Sequence, residues 1–162
     1  MAPLPQLLEE DIRAVDDALL DLLQKSEATA ALIIDQGGFL ITKAGLTQDF
    51  DTVTLAALSA ASFAATQGLA GLVSETNFFS VYQQGENYSL LVHNIDNHCL
   101  LTIIFKASIS VGAVKYYAKD TVKVIAKQLK IAREREPDKG LDLAMENLAD
   151  PTPLFKRKKE AA

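Results

Sequence analysis

The apolar positions near the start of the chain recur every three or four residues. Within residues 7–26 they are separated by acids and comprise Leu8, Ile12, Val15, Leu19 and Leu22. Positions with this spacing share one face of a helix, so the pattern is typical of an amphipathic helix. The early acids also suit the positive end of the helix dipole. The pattern therefore predicts a first helix over residues 7–26.

Two short apolar runs follow, separated by four residues that favour a turn. The runs are residues 30–34 and 39–42, on either side of Asp35, Gln36, Gly37 and Gly38. Glycine tolerates the positive φ angles that tight hairpin turns need. We therefore expect these runs to form a β-hairpin.

The next segment is the longest uncharged stretch of the chain. Residues 52–74 contain no charged side chain, and Asp49 or Asp51 can cap a helix over residues 52–73. The stretch is long enough to cross a bilayer. Its serines and threonines, and an apolar remainder made largely of alanine and glycine, favour a soluble helix instead. We therefore expect no membrane insertion.

Three further β-rich runs and one periodic segment complete the pattern. The runs are residues 78–83, 88–94 and 99–105, and polar turn residues separate them. Ser110 can then cap a last helix that ends before Pro137. Its apolar stripe consists of Val114, Ala118, Thr121, Ile125, Leu129 and Ala132. We expect a three-stranded meander followed by a long helix.

The predicted order of elements is therefore α-β-β-α-β-β-β-α. Because the strands follow one another as hairpins, we expect an α/β protein of the α+β type, with a five-stranded, mostly antiparallel sheet covered by helices. The chain has 162 residues, 49% of them hydrophobic, which fits one domain with one core. We place this domain at residues 1–136. Residues 137–162 mix leucines with acids and prolines, and we expect a flexible tail there.

The uncharged second helix has two different apolar faces. The bulkier face consists of Leu55, Leu58, Ser62, Ala65, Leu69 and Leu72, and we expect it to pack on the sheet. The adjacent face consists of Ala57, Ala60, Ala61, Ala64, Gly68 and Gly71. Small residues at this spacing let another backbone approach closely. A second copy or a foreign protein is the expected partner, and packing against the first helix of the same chain is the alternative.

Charge is distributed unevenly along the chain. The formal net charge of −5 argues against a typical nucleic-acid-binding protein. The last helix nevertheless carries a basic ridge of Lys115, Lys119, Lys123 and Lys127, followed by Lys130, Arg133 and Arg135. The ridge is either an ordinary solvated face or a surface that steers an acidic protein partner.

The sequence contains no recognisable catalytic or phosphate-binding motif. A phosphate-binding loop, a nucleophile elbow and a zinc-binding HExxH are all missing. His93, His98 and Cys99 are close in sequence, but a turn separates them, and a shared metal or catalytic site is the less favoured interpretation. A single cysteine excludes an internal disulfide and favours a reducing cytoplasm. We expect no catalytic residues, no cofactor and no metal.

Four stretches of the chain resemble a known family. They are LIIDQGGFLITKAG, DTVTLAALSAASFAATQGLAGLVSE, YSLLVHNIDNHCLLTIIF and SVGAVKYYAKDT. The sequence resembles the roadblock-type dynein light-chain domains, and within that family the bacterial MglB branch, over residues 6–135. Ser74 departs from the glycine often found there in the family, and the basic end of the tail is also unlike MglB.

The resemblance implies a homodimer in which the second helices pair and the two sheets join. It also implies a Ras-like GTPase of the MglA type as partner, whose GTP hydrolysis the protein accelerates by reshaping the GTPase without an arginine finger. The GTPase-binding residues so implied are Ala60, Ala61, Ala64, Gly68, Gly71, Lys115 and Lys119. The dimer interface so implied comprises Ala57, Ala61, Ala64, Phe78 and Val81.

The resulting hypothesis is a cytoplasmic regulator of cell polarity or gliding motility, recruited to a cell pole, with no active site of its own. One alternative is a roadblock scaffold that binds a GTPase or motor component and leaves hydrolysis unchanged. Another is an enzyme or sensor that uses His93, His98 and Cys99.

Overall fold

The computed structural model describes residues 4–135, and the predicted tail at residues 137–162 lies outside them. The elements are α1 (Glu9–Ser26), β1 (Ala30–Asp35), β2 (Leu40–Gly45), α2 (Thr52–Ala70) with a 3₁₀ turn (Gly71–Val73), β3 (Ser80–Gln84), β4 (Tyr88–Asn94), β5 (Cys99–Lys106) and α3 (Val111–Glu134). The predicted order of elements is confirmed, and most boundaries lie within two residues of those expected.

The five strands form one antiparallel sheet in the order β2-β1-β5-β4-β3. In this register Ala31 lies opposite Ala44 on one side and Ile103 on the other, and Ile103 in turn lies opposite Leu91. The outer strands are β2 and β3. One long edge of β3 is therefore free of a neighbouring strand within the described chain.

The helices divide between the two faces of the sheet. On one face α1 and α3 pack together, and their buried residues meet the strand residues Ala31, Ile33, Leu101, Ile103 and Phe105. On the other face α2 lies alone over Leu32, Ile34, Leu100 and Ile104. Alternate strand residues point to opposite faces, which explains why neighbouring positions serve different helices. The predicted stripe of α3 is confirmed, since all six residues are buried.

The prediction for the packing of α2 is wrong. The buried residues that meet the sheet are Ala56, Ala60 and Phe63, and of the predicted leucines only Leu55 packs against them. The other predicted leucines are exposed, at 62% for Leu58, 57% for Leu69 and 81% for Leu72. The strand residues beneath α2 are already bulky, so small residues bring the helix close to them. Packing of the small face on α1 is also excluded, because α1 lies across the sheet.

The start of α2 is fixed by a side-chain cap. Asp51 Oδ1 accepts a hydrogen bond from the backbone N–H of Thr54 at 3.1 Å, and Asp51 Oδ2 accepts one from the Thr54 hydroxyl at 2.7 Å. These bonds favour the ionised carboxylate and lower the pKa of Asp51. Asp51 rather than Asp49 is therefore the cap.

One helical segment, Thr52–Val73, is long and apolar enough to span a membrane by length and composition. In the fold its Ala56, Ala60 and Phe63 pack on the sheet, as in a domain that is folded in water. The remaining sides of this helix are mostly exposed in the single chain. Within the described part of the chain this arrangement leaves a large apolar surface uncovered, which is the usual mark of an interaction site.

Candidate interaction surface

The exposed side of α2 carries two adjoining stripes. The small stripe comprises Ala57, Ala61, Ala64 and Gly68, with Gly71 at its end. The leucine stripe comprises Leu58, Ala65, Leu69 and Leu72. Residues in each stripe are three, four or seven apart and therefore share one helix face. Neither stripe contains a charged group, so a partner can cover both without desolvating an ion.

The small stripe begins beside the turn between β1 and β2. Gly38 in this turn is buried and has φ of +94°, a conformation that favours glycine. A Cβ atom at Gly38 would lie 3.0 Å from Ala57 Cα. The turn thus packs directly on the first turns of α2, and this contact requires glycine at position 38.

A cleft of about 550 Å³ lies along the same side of α2. Gln36, Ala60, Phe63, Ala64, Gln67, Asn77, Phe78, Phe79, Asn94, Asn97 and Leu100 line it. Gln67 fixes one wall, because its Nε2 donates to the Phe78 carbonyl at 2.7 Å and its Oε1 accepts from the Phe78 N–H at 3.1 Å. Ala64 belongs both to this lining and to the small stripe, so the two features are continuous.

Asp96 holds the opposite rim of the cleft. Its Oδ1 accepts from the backbone N–H groups of His98 and Cys99, both at 2.8 Å, and its backbone carbonyl accepts from Gln36 Nε2 at 3.3 Å. Its Oδ2 forms an ion pair with Arg133 at 2.6 Å. Asp96 therefore connects the β1–β2 turn, the start of β5 and the end of α3 at this rim. Sequence reasoning identified Asp96 only as a turn residue and missed this role.

The leucine stripe adjoins strand β3. Gln83 Nε2 on β3 donates to Ser62 Oγ at 3.2 Å, and Ser62 is a helical neighbour of Leu58 and Leu69. Phe79, which precedes β3, is 75% exposed, whereas Phe78 and Val81 are half-buried. Exposed large apolar side chains on α2 therefore adjoin one at the start of the edge strand.

The predicted GTPase-binding residues lie in three environments, which are the exposed side of α2, the buried side of α2 and the exposed side of α3. Ala61, Ala64, Gly68 and Gly71 are exposed on α2, and a Cβ atom at either glycine would meet nothing within 4 Å. Ala60 is only 5% exposed because it packs on the sheet, so its side chain belongs to the core and to the cleft wall. The close approach expected at the small residues of α2 is therefore not made at Gly68 or Gly71 by any of residues 4–135.

Lys115 and Lys119 lie apart from these residues. Both are exposed on α3, and α3 covers the face of the sheet opposite α2. The structure therefore does not bring the lysines and the small stripe into one patch of a single chain. Any joint contact with one partner would need a second copy of the protein or a partner that reaches around the sheet.

His93, His98 and Cys99 do not form a site. His93 Nδ1 lies 2.8 Å from the backbone carbonyl of Asn94, while burial raises the pKa of the Cys99 thiol to about 12. Among residues 4–135 no group of three or more His, Cys, Asp or Glu side chains is arranged to hold a metal ion. A protonated, buried thiol is a poor nucleophile.

Comparison with known proteins gives a consistent assignment. The Roadblock/LC7 domain family matches residues 14–105. The solved structure of Myxococcus xanthus MglB has 28% sequence identity and a TM-score of 0.74, and the match covers 81% of this chain and 98% of that one. The Thermus thermophilus gliding protein MglB has 29% identity and a TM-score of 0.74, with coverage of 81% and 99%.

A structure described as MglB with tetrameric arrangement has 32% identity and a TM-score of 0.74, with coverage of 82% of this chain and 99% of that one. Curated protein sequences give no match. The family match spans more than half of the chain, and all three MglB structures match its fold with a TM-score of 0.74. The chain belongs to the Roadblock/LC7 domain family and is similar in fold and sequence to MglB.

Proposed function

We propose that the protein is a cytoplasmic homodimer that binds an MglA-like small GTPase of the Ras family and accelerates its GTP hydrolysis. Similarity to MglB at 28–32% identity, over nearly the full length of those chains, supports this assignment. The process served would be a switch of cell polarity or gliding motility, with recruitment to a cell pole.

The observation that carries the proposal is the uncharged, exposed surface of α2. A helix that is apolar on nearly all sides needs cover on nearly all sides, yet residues 4–135 cover only the face on the sheet. We assign one stripe to a second copy and the other to the GTPase.

The leucine stripe and strand β3 suit the second copy. An isologous two-fold contact joins the same patch of each copy, and two β3 edges can pair their free backbone groups across it. Leu58 and Leu69 would then lose contact with water. In this arrangement the half-buried Phe78 and Val81 lie behind the contact surface. Ala57, Ala61 and Ala64 lie at its edge.

The small stripe and the cleft beside it suit the GTPase. Ala61, Ala64, Gly68 and Gly71 present backbone rather than long side chains, so a partner element can approach closely. Activation by reshaping requires only that the protein bind the hydrolysis-competent conformation more tightly than the resting one. Lys115 and Lys119 act, in this proposal, by attracting the acidic partner over a distance.

Single-turnover GTP hydrolysis tests the function. The rate for an MglA-like GTPase from the same source is measured alone, with the wild-type protein and with a variant carrying Ala64→Arg and Gly68→Arg. Acceleration by the wild type and not by the variant is expected, because the two arginines add bulk and charge to the small stripe. Light scattering on the same samples checks that the variant remains a dimer.

The principal alternative is a scaffold that binds the GTPase without changing hydrolysis. Pull-down in both nucleotide states separates the two functions, since a scaffold would bind and leave the rate unchanged. If the arginine variant became monomeric, the small stripe would instead be the dimer interface.

A further inference from the structure

The cleft beside α2 has an unusual lining for a surface of this charged protein. None of its lining side chains is charged, and side-chain amides from several elements surround three aromatic rings. The amides are Gln36, Gln67, Asn77, Asn94 and Asn97, and the rings are Phe63, Phe78 and Phe79. Aromatic rings can cover the apolar side chains of a bound peptide, and side-chain amides can form hydrogen bonds with its backbone. The lining therefore suits a neutral, extended peptide segment.

Much of the hydrogen-bonding capacity of these amides is unused within the described chain. Gln67 is satisfied by Phe78, but Gln36 uses only its Nε2. The side chains of Asn77, Asn94 and Asn97 make no hydrogen bond to any of residues 4–135, and Asn94 Oδ1 is buried without a partner. A buried acceptor without a donor is destabilising, because it has lost its hydrogen bonds to water. A segment that offers an N–H group there would remove this destabilisation.

One side chain from the last described turn of α3 reaches the rim of this cleft. Near the end of α3, Arg133 pairs with Asp96 at 2.6 Å, and the next residue, Asn97, lines the cleft. Arg135, the last described residue, lies two positions beyond Arg133 and is bonded to Asp11 of α1. A segment a short distance further along the chain is held close to the cleft by covalent attachment alone.

The sequence beyond α3 contains one segment with the required chemistry. Residues 151–155 read Pro-Thr-Pro-Leu-Phe and carry no charge. Each proline fixes its own φ near −65°, and Pro153 also disfavours the helical region for Thr152. Leu154 and Phe155 supply two apolar side chains, and Thr152, Leu154 and Phe155 supply N–H groups. We propose that residues 151–155 dock in this cleft of their own chain in an extended conformation.

Because the segment is covalently attached to the domain, a weak contact is sufficient for it to dock. About 15 residues separate α3 from the segment, and such a linker reaches at most about 50 Å. A linker of this kind gives an effective concentration in the millimolar range. A dissociation constant of about 1 mM would then leave roughly half of the molecules docked. The segment competes with the GTPase because Ala64 belongs to both surfaces, a consequence that rests on the proposed function.

Paramagnetic relaxation enhancement in the full-length chain tests the docking. A spin label is attached at Asn97→Cys on the cleft rim, and broadening is read from the amide signals of residues 136–155. The native Cys99 is buried and protonated, so labelling is confined to the introduced thiol. Broadening with a second maximum at Thr152, Leu154 and Phe155 is expected. A steady decline along the chain from residue 136 would overturn the proposal.

Two matched variants sharpen this test. Leu154→Ser with Phe155→Ser keeps the length of the tail and removes its apolar side chains, so the second maximum is expected to disappear. A label at Lys119→Cys, on the opposite side of the sheet, is expected to leave residues 151–155 sharp. A second maximum that survives the serine variant contradicts docking through Leu154 and Phe155.

Mixed samples show whether the segment occupies the cleft of its own chain or that of a second copy. Isotope-labelled chain without a spin label is combined with spin-labelled chain at natural isotope abundance. Broadening at residues 151–155 in this mixture would overturn docking within one chain and indicate a second copy. GTP hydrolysis measured with the serine variant addresses the proposed function separately, since the docking maximum in the free protein does not depend on any GTPase.

Discussion

Arg135 donates hydrogen bonds from both terminal nitrogens to both carboxylate oxygens of Asp11, with Nη1–Oδ2 at 2.8 Å and Nη2–Oδ1 at 3.0 Å. Asp11 also accepts from the Leu8 N–H at 2.8 Å and from Gln128 Nε2 at 2.7 Å. The pair joins the end of α3 to the first turn of α1. Because Asp11 is fully buried, its charge depends on these four donors for the solvation that water would supply.

Replacing Asp11 with asparagine should destabilise the domain strongly. The substitution removes the charge that Arg135 pairs with and one acceptor of the α1 cap, so we expect the free energy of unfolding at pH 7 to fall by about 2–4 kcal/mol. Urea denaturation measures this change. The exposed pair of Arg13 and Glu9 is the control, and Arg13→Ala should have little effect. Equal losses in the two variants would contradict the importance of burial.

The same pair makes stability depend on pH in acid. The hydrogen bonds and charge of Arg135, against the opposing effect of burial, hold the pKa of Asp11 well below its ordinary value of 3.8. A carboxylate with a lowered pKa stabilises the fold above the unfolded-state pKa, and this contribution is lost as the pH falls below it. Denaturation between pH 6 and pH 2.5 should therefore show a steeper loss for the wild type than for Asp11→Asn.

The sequence was sufficient to predict the elements and their order, because each helix or strand has a local hydrophobic period. It was insufficient for the orientation of α2, since Leu58 and Ala60 lie on a helix without a charged face that would mark the solvent side. The cleft was also unpredictable. Asp96 meets Arg133 and Gln36 over separations of 37 and 60 residues, and no local pattern encodes those contacts.

Replacing Gly68 with alanine should stabilise the isolated protein. A Cβ atom there meets nothing within 4 Å, and alanine is favoured over glycine in a helix interior by about 0.5–1 kcal/mol. Thermal or urea unfolding measures the gain. If the small stripe is a close-contact surface, the same variant should weaken GTPase binding even as it stabilises the fold. A gain in both properties would contradict that role for Gly68.

Replacing Lys115 and Lys119 with alanine should slow association with the GTPase without shortening the lifetime of the complex. The lysines lie across the sheet from α2, so their effect on the partner is long-range attraction. The association rate should fall at low salt and approach the wild-type value at high salt, because salt screens exposed charges. Stopped-flow mixing at two ionic strengths measures both rates. A faster dissociation would indicate direct contact.

Cys99 should be unreactive in the folded protein. Burial and the negative charge of Asp96 raise the pKa of its thiol to about 12, so the reactive thiolate form is scarce at pH 8. A thiol-specific colorimetric reagent should react slowly with the native protein and rapidly in urea. The exposed Asn97→Cys variant, two positions away, is the control and should react at once. Rapid reaction of the native wild type would contradict the buried position of Cys99.

Replacing Leu58 and Leu69 with aspartate should dissociate the proposed dimer and leave the monomer folded. Both side chains are more than half exposed in the single chain, so neither belongs to its core, whereas a charge in an apolar contact between two copies is costly. Light scattering should show one chain per particle, and circular dichroism should show unchanged helix content. The matched control is Val124→Asp together with Ile131→Asp on α3, whose side chains are similarly exposed but lie on the opposite side of the sheet. If the control variant dissociates the dimer and the α2 variant does not, the copies pair through the α1–α3 face, and the leucine stripe is left for another partner.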